Sequence, residues 1–261
     1  MSWFDISIRA VTAIISFGAL VLSYVSYKKQ RKINDRQSII NDEQREFNNR
    51  QKERENDCGK IEKALEMAKY YEEEILTDLS LISAIINHYP PISALTNRVA
   101  IERAKLFNAD ESKLFFSEGE RNQLEAFFMR SDGVDIAVIR PLFDLYGRPF
   151  SAAPVLDEVK VKFEMSKLII RFLNKLEYFS MAFHQKVADD DVVYQSLHHT
   201  FIKIMKLLYF PIAYHNTEAY DRMFTNAIIL FNAWRERLIN EQAKQQKAKE
   251  QLEPVPPQKI S

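Results

Sequence analysis

The sequence predicts an all-α protein with an N-terminal single transmembrane helix, a long coiled-coil-like helical stalk and a helical bundle. Three observations lead there. Glycine is scarce, 5 in 261 residues, while Phe (18) and Tyr (11) are plentiful, and apolar residues recur at helical spacing over long stretches. Residues Ala10 to Tyr27 (AVTAIISFGALVLSYVSY) carry no charge. From Gln30 the chain repeats in sevens as QRKINDR, QSIINDE, QREFNNR, QKEREND.

The uncharged run sets the first expectation, an anchor within residues 1–27. It has about 18 residues, near the lower limit for crossing a bilayer. Trp3, Phe4, Tyr24 and Tyr27 flank it as interfacial aromatics do. A secretory signal would carry its basic residues before the apolar core, whereas here they follow it. A buried globular helix, followed at once by a highly polar stretch, would have little to pack against. Lys28, Lys29, Arg31, Lys32 and Arg36 are candidate contacts for anionic lipid, at about 1 kcal/mol each near the surface. Their position predicts an outside N-terminus and a cytoplasmic remainder. Thr12, Ser16, Ala19, Ser23 and Ser26 share one face of small residues, which lets transmembrane helices approach closely.

Residues 28–57 form the expected stalk. Gln30, Gln37, Gln44 and Gln51 recur every seven residues, with Ile33, Ile40 and Phe47 three later. A strict seven-residue period signals supercoiling, because a straight helix drifts about 20° per heptad. Gln at one core position weakens the seam, and a solvated single helix is the alternative. With the small-residue face, this predicts a homo-oligomer. The register runs on through Cys58, Ile61, Leu65, Ala68, Glu72, Ile75, Leu79, Ile82 and Ile86. Gly59 is its weak point, at about 1 kcal/mol against helix.

A bundle is expected over 58–240, about 180 residues and enough for a sizeable core. Pro90-Pro91 should stop the first helix. Ser93 to Phe107 reads as a helix with Leu95, Val99 and Leu106 inward. Ser117-Glu118-Gly119-Glu120 is a capping box opening a helix to about Arg130. Residues 133–147 read as short helices broken at Pro141. Asp157 should cap a helix to about Lys186, with Leu168, Phe172, Leu176, Phe179 and Phe183 inward. Asp189, Asp190 and Asp191 favour the next start, for a helix carrying Tyr194, Leu197, Phe201, Ile204, Met205 and Leu208 and ending at Pro211. Thr217 should cap a last helix using Tyr220, Met223, Phe224, Ala227, Leu230, Phe231 and Trp234. Residues 241–261, rich in Gln, Lys, Glu and then Pro, read as a disordered tail.

The pair of helices RFLNKLEYFSMAFHQKVADDDVVYQSLHHTF, from Arg171, resembles the uncharacterised bacterial domain-of-unknown-function family 4760, as does the plan of anchor plus polar stalk. The resemblance covers about a third of the chain. It implies a bacterial protein held at the inner (cytoplasmic) membrane, helical, with no established activity.

Chemistry-bearing motifs are sparse. No Gly-rich phosphate loop and no His-Glu-x-x-His occurs. His198 and His199 point about 100° apart on a helix. The single cysteine, Cys58, excludes an intrachain disulfide and a cysteine-based zinc site. A formal charge of +0 leaves no global footprint for nucleic acid. No catalytic, cofactor or metal residues are therefore assigned. The polar residues that stand out are Asn174 and Glu177, three apart beside the apolar stripe of a core helix. A half-buried Glu177 needs a partner, and Arg171, Lys203 and Lys206 are the nearest candidates. The expectation is a non-enzymatic interaction, scaffold or sensing module that contacts the bilayer, itself and a cytoplasmic protein. The alternatives are a membrane-acting effector in bacterial stress or phage defence, and an unrecognised hydrolase or nucleotide-binding enzyme.

Overall fold

A computed structural model describes the backbone of residues 3–146, 158–217 and 222–252. It also describes their side chains, except at 3–27, 32–36, 39–40, 136, 158–161 and 249–252. All regular structure in these residues is helical. The helices are α1 (Trp3–Tyr70), a π-helical turn (Tyr71–Ile75), α2 (Leu76–Asn87), α3 (Pro90–Asn97), α4 (Ala109–Ser112), α5 (Glu118–Phe128), α6 (Ile136–Leu145), α7 (Glu158–His184), α8 (Asp190–Leu207), α9 (Tyr209–His215) and α10 (Thr225–Leu252). The chain divides into two compact units, Met1–Cys58 and Gly59–Ser261.

Among the described residues no helix is long and apolar enough to cross a membrane. The expected single-pass anchor, the inner-membrane location and the outside N-terminus are corrected on this finding. Eighteen residues rise only about 27 Å at 1.5 Å each, short of a hydrocarbon core of about 30 Å. The run is also interrupted by Thr12, Ser16, Ser23 and Ser26. The small-residue face and the aromatics at residues 3–27 lie outside the described side chains, as do Lys32, Ile33, Arg36 and Ile40. Lys28, Lys29 and Arg31 are exposed.

The first unit is a helix whose side chains from Asn41 to Cys58 are all exposed. Its support is local. Gln37 Nε2 donates to Asn41 Oδ1 (3.2 Å), Arg50 Nη2 to Glu46 Oε1 (2.5 Å) and Gln51 Nε2 to Glu55 Oε1 (2.9 Å). Such i,i+4 links are worth a few tenths of a kcal/mol each. Cys58, expected inward, is exposed. Gly59 is helical and leaves space where a side chain would begin.

The second unit is the bundle. The heptad register does not carry through it. Ile61 and Leu65 are 42% and 57% exposed, while Ala64, Met67 and Tyr71 are buried. The inward face lies one residue earlier than the seven-residue count predicts, until the π-helical turn. That turn closes i→i+5 bonds and so inserts one extra residue, which brings Ile75, Ile82 and Ile86 onto the buried face. The core then gathers around Trp234 of α10. Phe201 of α8 lies 5.2 Å from its ring, Tyr194 5.8 Å and Phe183 of α7 6.2 Å. The apolar stripes read from α7, α8 and α10 are the faces that meet here.

Several boundaries move for stated reasons. Pro90 and Pro91 open α3, where a missing N–H costs nothing. Pro211 likewise sits in the first turn of α9 and does not end the chain's helical path. α6 continues through Pro141. The box at Ser117 forms, with Glu120 N donating to Ser117 Oγ and Ser117 N to Glu120 Oε2. Asp189 Oδ1 caps α8 at Asp191 N, 3.0 Å away. The last helix starts at Thr225, not Thr217, and runs to Leu252. Residues 241–252 are thus helical: Glu241 accepts from Tyr194 Oη and Arg237 Nε at 3.2 Å each, which extends the helix beyond its apolar face. Asp157 and residues 253–261 lie outside the described residues.

Residues 98–108 form a loop after α3, where helix is expected as far as Phe107. Backbone bonds close its first part, at Arg98, Arg103 and Ala104, and side chains meet the polar groups of its second. Lys105, Leu106 and Phe107 N–H donate to the carboxylate of Glu111 at 2.7, 2.9 and 2.8 Å. The carbonyls of Ala104, Lys105 and Phe107 accept from Arg235, Asn232 and Asn216. Phe107 takes a left-handed φ of 50°, held from both sides of its peptide.

Candidate functional site

A groove lies between the end of α1, just before the π-helical turn, and α7. Tyr70 stands at one edge, edge-on to Tyr178 with ring centroids 5.3 Å apart. Burial is the main cause that raises its hydroxyl pKa, with Glu74 adding to it. Two turns further along, Asp78 is fully buried. Its Oδ2 lies 3.0 Å from Lys175 Nζ and 3.8 Å from Arg171 Nε. Lys175 Nζ also donates to Glu74 Oε2 at 2.5 Å and to Glu74 O at 3.3 Å. One ammonium thus ties the end of the π-helical turn to the start of α2. A buried carboxylate is tolerable only with such cations and good geometry.

The groove holds about 500 Å³ and is lined by Tyr70, Lys167, Ile170, Arg171, Asn174 and Lys175. The four α7 side chains at 167, 170, 171 and 174 follow helical spacing, so they form one wall. Asn174 opens into the groove. Glu177 does not join it. Its Oε1 accepts from Asn226 N (3.1 Å) and Asn226 Nδ2 (2.7 Å), and its Oε2 from Ala227 N (2.9 Å). Glu177 therefore caps the start of α10, where free N–H groups and the helix dipole favour an anion. Of the partners expected for it, Arg171 turns to Asp78, while Lys203 and Lys206 line a different cavity.

Only the adjacent His198 and His199 come together among the described histidines, with ring centroids 4.0 Å apart. His88 Nδ1 meets Ala84 O at 3.1 Å and His184 Nδ1 meets Asn226 Oδ1 at 2.7 Å. His198 is buried, 2.6 Å from Tyr194 O and stacked on that ring. Burial, helped by Glu241, pushes the Tyr194 hydroxyl up to about 12. His215 keeps a buried Nε2 without a hydrogen-bond partner, and burial lowers its pKa. Among the described residues no group of three His, Cys, Asp or Glu could hold a metal ion.

Asp78, Glu74 and Lys175 were not singled out from the sequence. A signal was present: Asp78 interrupts the apolar run Ile75, Leu79, Leu81, Ile82, and Arg171 and Lys175 stand four apart beside Phe172 and Leu176. Pairing them needed the π-helical turn, which has no sequence signature here. No family model, no curated protein and no solved structure matches the chain.

Proposed function

We propose that this chain is a non-enzymatic interaction module. It self-associates through the heptad face of α1 and uses its bundle to recruit or sense a protein partner. The observation that carries the reading is a seven-residue pattern on a helix whose side chains from Asn41 to Cys58 are all exposed, with Phe47 at 67%. A helix that is polar all round draws little stability from packing. Burying Phe47 against a second copy would contribute about 1.5–3 kcal/mol per chain. The glutamines at the other seam position hold the register at a cost in strength.

Sedimentation equilibrium of the full chain tests this. The reading expects a concentration-dependent oligomer whose association weakens at least about tenfold with Phe47→Asp. A monomer throughout, or an oligomer indifferent to that substitution, would overturn it.

A further inference from the structure

A second cavity, of about 470 Å³, lies in the bundle between α2, α3 and α8. We propose that it binds a small amphipathic anion, a carboxylate or phosphate on an apolar body of medium-chain size. The size falls within the range of small-molecule sites. Leu79, Ile101 and Ile204 supply apolar wall. Ser83, Asn97 and Thr200 place hydroxyl and amide groups around it, and Lys203 and Lys206 place two cations. Among the described residues neither ammonium has a carboxylate within 4.0 Å.

The competing explanation is electrostatic support of α8. Lys206 sits in the last turn of that helix, where the carbonyl dipole favours a cation. Lys203 lies before that turn, and the dipole effect falls off within one turn. Its place at the cavity is then left unexplained by the helix alone. Thr200 and Lys203 are three apart and share a face, so a hydroxyl and an ammonium can meet one anionic head while the tail lies on Ile204 and Leu79. The proposal goes beyond self-association and does not depend on it.

Titration calorimetry on the full chain decides the matter, with octanoate, octyl phosphate, the neutral octanamide and inorganic phosphate as probes. Octanoate and octyl phosphate should each bind at least about tenfold tighter than octanamide, and tighter than inorganic phosphate. The relative strength of the first two says which head group is preferred. Lys203→Gln with Lys206→Gln should remove that discrimination and leave the melting temperature unchanged, since neither side chain is buried. The Phe47→Asp chain should bind octanoate as the parent does, which keeps this test separate from that of self-association. Equal binding of octanoate and octanamide, binding unaffected by the double substitution, or no heat with any probe would each overturn the proposal.

Discussion

Residues 41–58 and residues 98–108 are opposites. The first stretch has the backbone hydrogen bonds of a helix and no buried side chain. The second has no helix or strand at 98–108, yet Val99, Ala104 and Phe107 are buried and the peptide groups of its second part are met by Glu111, Asn216, Asn232 and Arg235. Backbone satisfaction and side-chain burial are therefore separable. A helix obtains the first from itself and needs a partner for the second. A loop can be built into a core only when distant side chains supply the first.

The largest test of this contrast is Glu111→Ala. It strands three backbone N–H groups and the Tyr209 hydroxyl, which donates to Glu111 Oε2 at 2.9 Å and whose pKa is raised chiefly by burial and further by Glu111. Each buried donor left unmet costs about 1–3 kcal/mol. With partial relaxation, a loss of about 4 kcal/mol in urea denaturation is expected; a loss below about 1 kcal/mol would mean that water replaces the carboxylate. Lys175→Met comes next. It removes the nearer of two cations beside the buried Asp78, Lys175 at 3.0 Å against Arg171 at 3.8 Å, and about 3 kcal/mol should go, the lower end for breaking a buried pair. Recovery in the double variant with Asp78→Leu would confirm that the uncompensated charge is the cause.

In the exposed helix the signs reverse. Gly59→Ala places a Cβ where nothing lies within 4 Å and should raise local helix stability by about 1 kcal/mol. Slower amide exchange around residues 55–63 would show it, while the melting temperature of the bundle stays put. The smallest effect concerns pH. Burial lowers the pKa of His215 in the folded state, so the native protein takes up this proton less readily than the unfolded chain. Stability is complete above the unfolded value of about 6.5 and declines as pH falls below it. Melting curves from pH 8 to 5 should show that decline, and His215→Phe should flatten it.

What could be read ahead of the structure was local. The box at Ser117 and Glu120, the cap at Asp189 and the stripes along α7, α8 and α10 depend on residues two to four apart. The anchor at 10–27 was read from hydropathy, and that reading did not survive. The site was legible only in part. Asn174 reaches the groove, but Glu177 spends its carboxylate on the start of α10, 49 and 50 residues away.

By itself, then, the sequence determined that the described chain is helical, where α5 and α8 begin, and which faces of the last three long helices are buried, because periodicity and capping act within a turn or two. Tertiary structure alone decided the rest. It placed the π-helical turn that shifts the first helix of the bundle by one residue, put Asp78 under Lys175, and fixed the loop at 98–108 from partners as far as 131 residues away. Those contacts follow from volumes and hydrogen-bond demands met across the core, and no short window of the chain contains them.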